Sequence, residues 1–164
     1  MLISREKYYI LILLSVAIFL ACGKDSNPVK SGDDENGSII KAVGCVLKQA
    51  DSELIRAEKN KITGNISLKE RTETPLLKLY LIAEDGKLFQ PEEGEYSLAW
   101  EVDKMEIADV IQYEADGRWG FHIKGFDTGS TFVVFKIVHA DQTDFVSLDL
   151  PITVTPDSGG GLGK

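Results

Sequence analysis

The sequence predicts an all-β fold, a sandwich of about eight or nine short strands. Three observations carry this. Apolar residues recur with period two through nearly all of residues 39–156, which is the spacing of strands that bury one face. Turn chemistry interrupts them at short intervals, most clearly at Asp85-Gly86 and Asp116-Gly117. No run carries a convincing helical period.

The elements follow in order. Val43, Cys45 and Leu47 alternate with polar or small residues. A turn over residues 49–52 leads to a second strand from Glu53 to about Lys59. Ile62, Gly64, Ile66 and Leu68 share one face, and Leu77, Leu79, Leu81 and Ala83 share another. Asp85-Gly86 then closes a hairpin. Tyr96, Leu98, Trp100 and Val102 face inward, with Ser97, Ala99 and Glu101 outward. After Asp116-Gly117, Trp119, Phe121 and Ile123 point inward. Residues 131–140 are apolar on both faces apart from Lys136 and His139, which suits a central strand. Val146, Leu148, Leu150, Ile152 and Val154 form the last inward face. Pro151 has no N–H to donate and places that strand at an edge.

The chain of 164 residues suits one domain, and 43% apolar content is enough for a core. A net charge of −8 excludes a nucleic-acid partner, since no basic stripe can neutralise phosphates. No Walker loop or Rossmann glycine pattern supports a nucleotide partner. The acidic runs at Asp33-Asp34-Glu35 and Glu92-Glu93 read as solvated surface.

Residues 1–21 read as a leader. Arg5 and Lys7 precede an apolar run from Ile10 to Ala21, which has the length of a signal-peptide core and is short for a bilayer span. The sequence continues Phe19-Leu20-Ala21-Cys22-Gly23. A small residue before a Cys at this place resembles the lipobox of bacterial lipoproteins, with Phe19 and Leu20 departing from the usual residues. The resemblance implies cleavage before Cys22, acylation of its thiol and amino group, and a membrane partner through the lipid anchor. Gly23 after the Cys, where retention would use Asp, points to the outer membrane. Residues 22–38 carry little apolar content and read as a flexible tether, and residues 157–164 read as a flexible, Gly-rich tail. With Cys22 acylated, Cys45 has no disulfide partner and reads as a small core residue.

Trp100-x-Val102-Asp103, Ile107-Ala108-x-Val110, the turn at Gly117 and Gly125-x-x-x-Gly129-Ser130-Thr131 together resemble the bacterial immunoglobulin-like group 2 family. Those domains are sandwiches in surface and secreted proteins, often adhesins. The resemblance implies an immunoglobulin-like β-sandwich over residues 39–156. In it Trp100, Val102 and Phe121 belong to the core, and Gly125 and Gly129 flank a turn that carries the chain to the opposite sheet. It also implies a protein or polysaccharide partner at the cell surface. Chagasin-like protease inhibitors share the architecture and give a third, distant reading, but their Asn-Pro-Thr-Thr-Gly-Tyr loop is missing.

An enzyme is not expected. The two histidines, His122 and His139, have no nucleophile elbow to serve, and Ser97, Ser130 and Ser147 sit where ordinary strand or turn serines belong. No cofactor is implied. The alternative reading is an envelope accessory that binds a divalent cation through His139-x-Asp141-x-x-Asp144, whose imidazole and carboxylates supply nitrogen and oxygen ligands. A turn of this composition needs Asp in any case, to accept turn amides, and that structural reading is preferred. It packs His139 edge-on against Phe135 or Phe145, while His122 falls on the face opposite Trp119 and Phe121.

Overall fold

The computed structural model describes residues 40–92 and 94–157. The expected leader, Cys22, the tether up to residue 38 and the tail from residue 158 lie outside the described residues. Asp157, at the start of the expected tail, pairs with Lys69 at 3.3 Å.

The fold is all-β, in two sheets that close on one core. Twelve strands run in chain order: β1 (Ala42–Gln49), β2 (Ser52–Glu58), β3 (Lys61–Gly64), β4 (Ile66–Lys69), β5 (Leu77–Ala83), β6 (Leu88–Phe89), β7 (Tyr96–Val102), β8 (Ala108–Ile111), β9 (Gly120–Gly125), β10 (Gly129–His139), β11 (Gln142–Val146) and β12 (Leu150–Thr155). A short 3-10 turn, Glu114–Asp116, precedes β9. The first sheet has the order β3-β2-β1-β5-β9-β8, with β6 also on β5; the second joins β4, β12, β10 and β11, with β7 on the other side of β10.

The count exceeds eight or nine because the run from Ile62 to Leu68 is divided, the hairpin at Asp85-Gly86 has a short second strand, β6, and residues 142–145, read as part of a turn, pair as β11. The run from Ile62 to Leu68 changes sheets: β3 pairs with β2, while β4 lies parallel to β12. Gly64 makes the change, with φ +87° and so little room that a Cβ there would fall 1.9 Å from the Leu54 carbonyl oxygen. The run from Val146 to Val154 is divided at residues 147–149. Across the break, the Phe135 N–H donates to Ser147 Oγ and the Ser147 N–H to the Phe135 carbonyl, both at 2.9 Å. Pro151 does not mark an edge strand, because β12 lies between β10 and β4. It sits opposite Phe132, one residue before the pairing with β4 begins at Ile152.

β10 is the central strand, pairing with β7 on one side and with β11 and β12 on the other. Its Val133, Phe135 and Ile137 are fully buried, as are Leu47, Leu79, Phe121 and Ile123 from the first sheet. Residues 125–129 carry the chain from β9 in one sheet to β10 in the other. Gly125 is buried there because the chain passes close to β4: a Cβ would lie 2.9 Å from the Lys69 carbonyl oxygen. At Gly129 a Cβ would meet Ile107 Cδ1 at 2.8 Å.

Phe121 is wholly buried, but Trp100 and Val102 pack against the core only in part. Trp100 was expected to be buried between the sheets; the buried Trp is Trp119, 5% exposed, whose indole N–H donates to the Pro91 carbonyl at 3.1 Å. The difference follows from position. Among the described residues β7 is paired on one side only, which leaves Trp100 covered from one side, whereas the strand that Trp119 leads into lies between β5 and β8. Val146, expected inward, is 53% exposed.

Trp119→Ala should therefore lower stability by about 3–5 kcal/mol, the usual range for a buried aromatic, and Trp100→Ala by about 1–2 kcal/mol. Urea unfolding of the two variants checks the ranking; equal losses would contradict the burial described.

Candidate functional site

His139, Asp141 and Asp144 lie where strand pairing puts them, and pairing separates them. His139 ends β10 opposite Gln142, so Ala140 and Asp141 form a two-residue hairpin turn with φ 45° and 66°. Asp141 is exposed at its tip. The ring of His139 packs on neither Phe135 nor Phe145. It stacks on Tyr96, its partner on β7, with centroids 4.7 Å apart and planes at 30°.

Asp144 is displaced by a bulge. Val138 faces Thr143 and Ile137 faces Phe145, so Asp144 is the residue of β11 with no partner on β10. Regular pairing would have set its carboxylate opposite Ile137, which is fully buried. The bulge gives that place to Phe145 and turns Asp144 into the wall of a surface cleft, half-buried. Its Oδ2 is enclosed and has no hydrogen-bond donor in the structure. Among the described residues, no three His, Cys, Asp or Glu side chains gather as a metal-ligand set.

A polar cluster forms around the other histidine, His122, on the face opposite Phe121. His122 Nδ1 lies 2.8 Å from the Thr74 carbonyl and 3.5 Å from Glu73 Oε1, and Nε2 lies 3.4 Å from Asp116 Oδ1. Tyr113 joins the two carboxylates: its hydroxyl donates to Glu73 Oε2 at 3.2 Å and its backbone N–H to Asp116 Oδ2 at 2.7 Å. The Tyr113 ring also meets His122 edge-on at 5.4 Å. Sequence spacing could reveal only Asp116 and His122, across one turn. Glu73 and Thr74 are brought in by the bridge between Glu73 and Lys124.

This cluster sets one imidazole between two carboxylates. Partial burial pulls the pKa of His122 down, but the Thr74 carbonyl and the carboxylates of Asp116 and Glu73 outweigh it and hold it above the ordinary value. Cys45 is wholly buried, and burial pushes its thiol up to about 12, which leaves it inert at neutral pH.

No known family profile matches this chain, and no curated protein matches it. The solved structures similar to it include two of S-layer protein domains. A crystal structure of domains 4 and 5 of the S-layer protein SbsC is 18% identical, with a TM-score of 0.39, over 68% of this chain and 53% of that one. A structure of SbsC domains 5–6 is 19% identical, with a TM-score of 0.39, over 57% of this chain and 40% of that one. The chain thus spans about half of the first structure and less of the second.

The raised pKa of His122 fixes the sign of a pH effect. The stabilisation from its protonated ring is fully present below the ordinary histidine value and is lost as pH rises through the raised folded value. Urea unfolding should therefore show the wild type losing stability relative to His122→Gln as pH rises from the ordinary histidine range, about 6.5, through the raised folded value. A constant difference across that range would show that the ring is not charged against Glu73 and Asp116.

Proposed function

We infer that this chain is a lipid-anchored module of the bacterial cell envelope that binds or supports a partner and has no chemistry of its own. The observation that carries the reading is Ala21-Cys22 directly after an apolar leader, with a polar tether between that Cys and the sandwich. The core supports it from the other side. The chain has two cysteines, and Cys45 is buried, so it cannot tie up Cys22 in a disulfide without unfolding. That leaves Cys22 available for acylation. More than one such chain makes attachment stable, and the tether sets the sandwich off from the bilayer.

The all-β sandwich suits this role. The glycines at 125 and 129, where the chain crosses between sheets, support reading the domain as one that resembles the group 2 immunoglobulin-like class. Gly23 favours the outer membrane. The negative charge suits partners other than nucleic acid, either a protein or a polysaccharide.

Mass spectrometry of the protein purified from bacterial membranes tests the anchor. The expected result is a mature chain that begins at Cys22 and carries two or three acyl groups. Cleavage elsewhere, or an unmodified Cys22, would overturn the reading.

A further inference from the structure

The geometry points to the pocket between the start of β7 and the β8–β9 turn as a binding site for a neutral polysaccharide. This rests on the reading of the domain as a binding module and names the chemistry of its partner. The pocket has a volume of about 410 Å³, and Ser97, Leu98, Gln112, Tyr113, Glu114 and Arg118 help to line it. That volume lies within the range of ligand pockets.

Its long side chains are exposed, yet the fold holds them in place. Gln112 Nε2 donates to the carbonyls of Gly117, Arg118 and Gly120, at 3.2, 3.1 and 2.8 Å. Arg118 Nη1 donates to the Tyr96 carbonyl at 2.6 Å. Tyr113 is held through its hydroxyl by Glu73 and through its N–H by Asp116. Surface side chains of this length normally lose rotamer freedom when a ligand arrives. Here folding has already fixed them, so a ligand that meets them orders little more.

The groups left over define the ligand. Gln112 spends its amide N–H groups on the turn, which leaves Oε1 as an acceptor. Arg118 meets no carboxylate among the described residues, so the rest of its donor fork is available. Glu114 adds a second acceptor, and the Tyr113 ring is 48% exposed. Fixed donors, fixed acceptors and an aromatic surface together match a sugar ring, whose hydroxyls both donate and accept and whose C–H face packs on the aromatic ring. Among the lining residues the charges of Arg118 and Glu114 cancel, so the wall selects neither an anion nor a cation. The carboxylates of Glu73 and Asp116, beyond Tyr113, face His122.

An extended polypeptide fits the place less well. It would bind by adding a strand to the edge of β7, which among the described residues is paired with β10 alone. The Arg118 guanidinium already occupies the Tyr96 carbonyl at the start of that strand, which interrupts a backbone ladder there. A sugar chain needs no such ladder and takes its hydrogen bonds from the side chains.

The test titrates cellohexaose, maltohexaose and chitohexaose into the full chain in zwitterionic detergent micelles, which carry no sugar of their own. Binding is followed by calorimetry and by backbone and side-chain amide chemical shifts. A pentapeptide of alternating threonine and valine serves as the comparison. The expected result is saturable binding of at least one hexasaccharide, with shifts at Ser97, Gln112, Tyr113 and Arg118. Tyr113→Ala should weaken it at least about tenfold, while Tyr113→Phe, which keeps the ring and loses the bond to Glu73, should stay within about threefold of the wild type. If Tyr113→Ala disturbs the turn, Arg118→Leu, at an exposed position, should weaken binding comparably. No saturable binding at millimolar saccharide, the same shifts from the peptide, or full affinity in both Tyr113→Ala and Arg118→Leu would each overturn the proposal. None of these outcomes bears on the acyl groups at Cys22, so failure here and failure of the anchor are read separately.

Discussion

Phe121 of β9 and Phe135 of β10 meet between the sheets with ring centroids 4.6 Å apart and planes at 40°, and both are wholly buried. The two strands are consecutive in the chain but belong to different sheets. Their contact therefore fixes how the sheets face each other, while residues 125–129 fix how the chain gets across. From β10 the rest of the second sheet follows by pairing; from β9 the first sheet follows through β5. An aromatic pair of this kind contributes beyond its buried area and holds one relative orientation. That is why the nearby glycine matters: Gly125 lets the chain pass within contact distance of the Lys69 carbonyl just beyond Phe121.

The period-two pattern made the fold class and most of the core legible, but a strand pattern does not say which sheet a strand joins. Ile62, Ile66 and Leu68 keep one inward parity through the change of sheet at Gly64, because both sheets bury their inner faces in the same core. Alternation is blind to such a switch; only the positive φ of Gly64 records it. Parity is equally blind to depth. Trp100 has the inward parity expected of it, yet a strand paired on one side leaves it partly uncovered, while Trp119 is sealed by its neighbours.

The candidate sites were legible only as far as local pairing is regular. A turn after His139 was readable, but it was read as extending to Asp144; it is confined to Ala140 and Asp141, and β11 resumes at Gln142. The bulge was not, since nothing in Gln142-Thr143-Asp144-Phe145-Val146 distinguishes an extra residue from a continuing strand. One extra residue reverses every parity beyond it. That single slip explains why Phe145 replaces Asp144 opposite Ile137, why Val146 turns to solvent, and why the three proposed metal ligands do not assemble. The cluster around His122 was hidden for a different reason, because Glu73 and Thr74 are distant in sequence and arrive through tertiary pairing.

Two irregularities lie three residues apart on this stretch, and the fold treats them differently. At Ser147 the break in the strand is closed from within: its Oγ accepts the Phe135 N–H and donates to the Leu148 carbonyl at 2.8 Å, so no buried group is left unpaired. At Asp144 the bulge keeps a carboxylate out of the core but leaves one oxygen without a donor. A hydroxyl or amide from within the chain would satisfy such a group, as Ser147 shows for its own neighbours. Departures from regular pairing tend to gather where a surface has work beyond folding. The unsatisfied departure lies at the wall of a cleft beside two exposed valines, whereas the satisfied one belongs to the architecture.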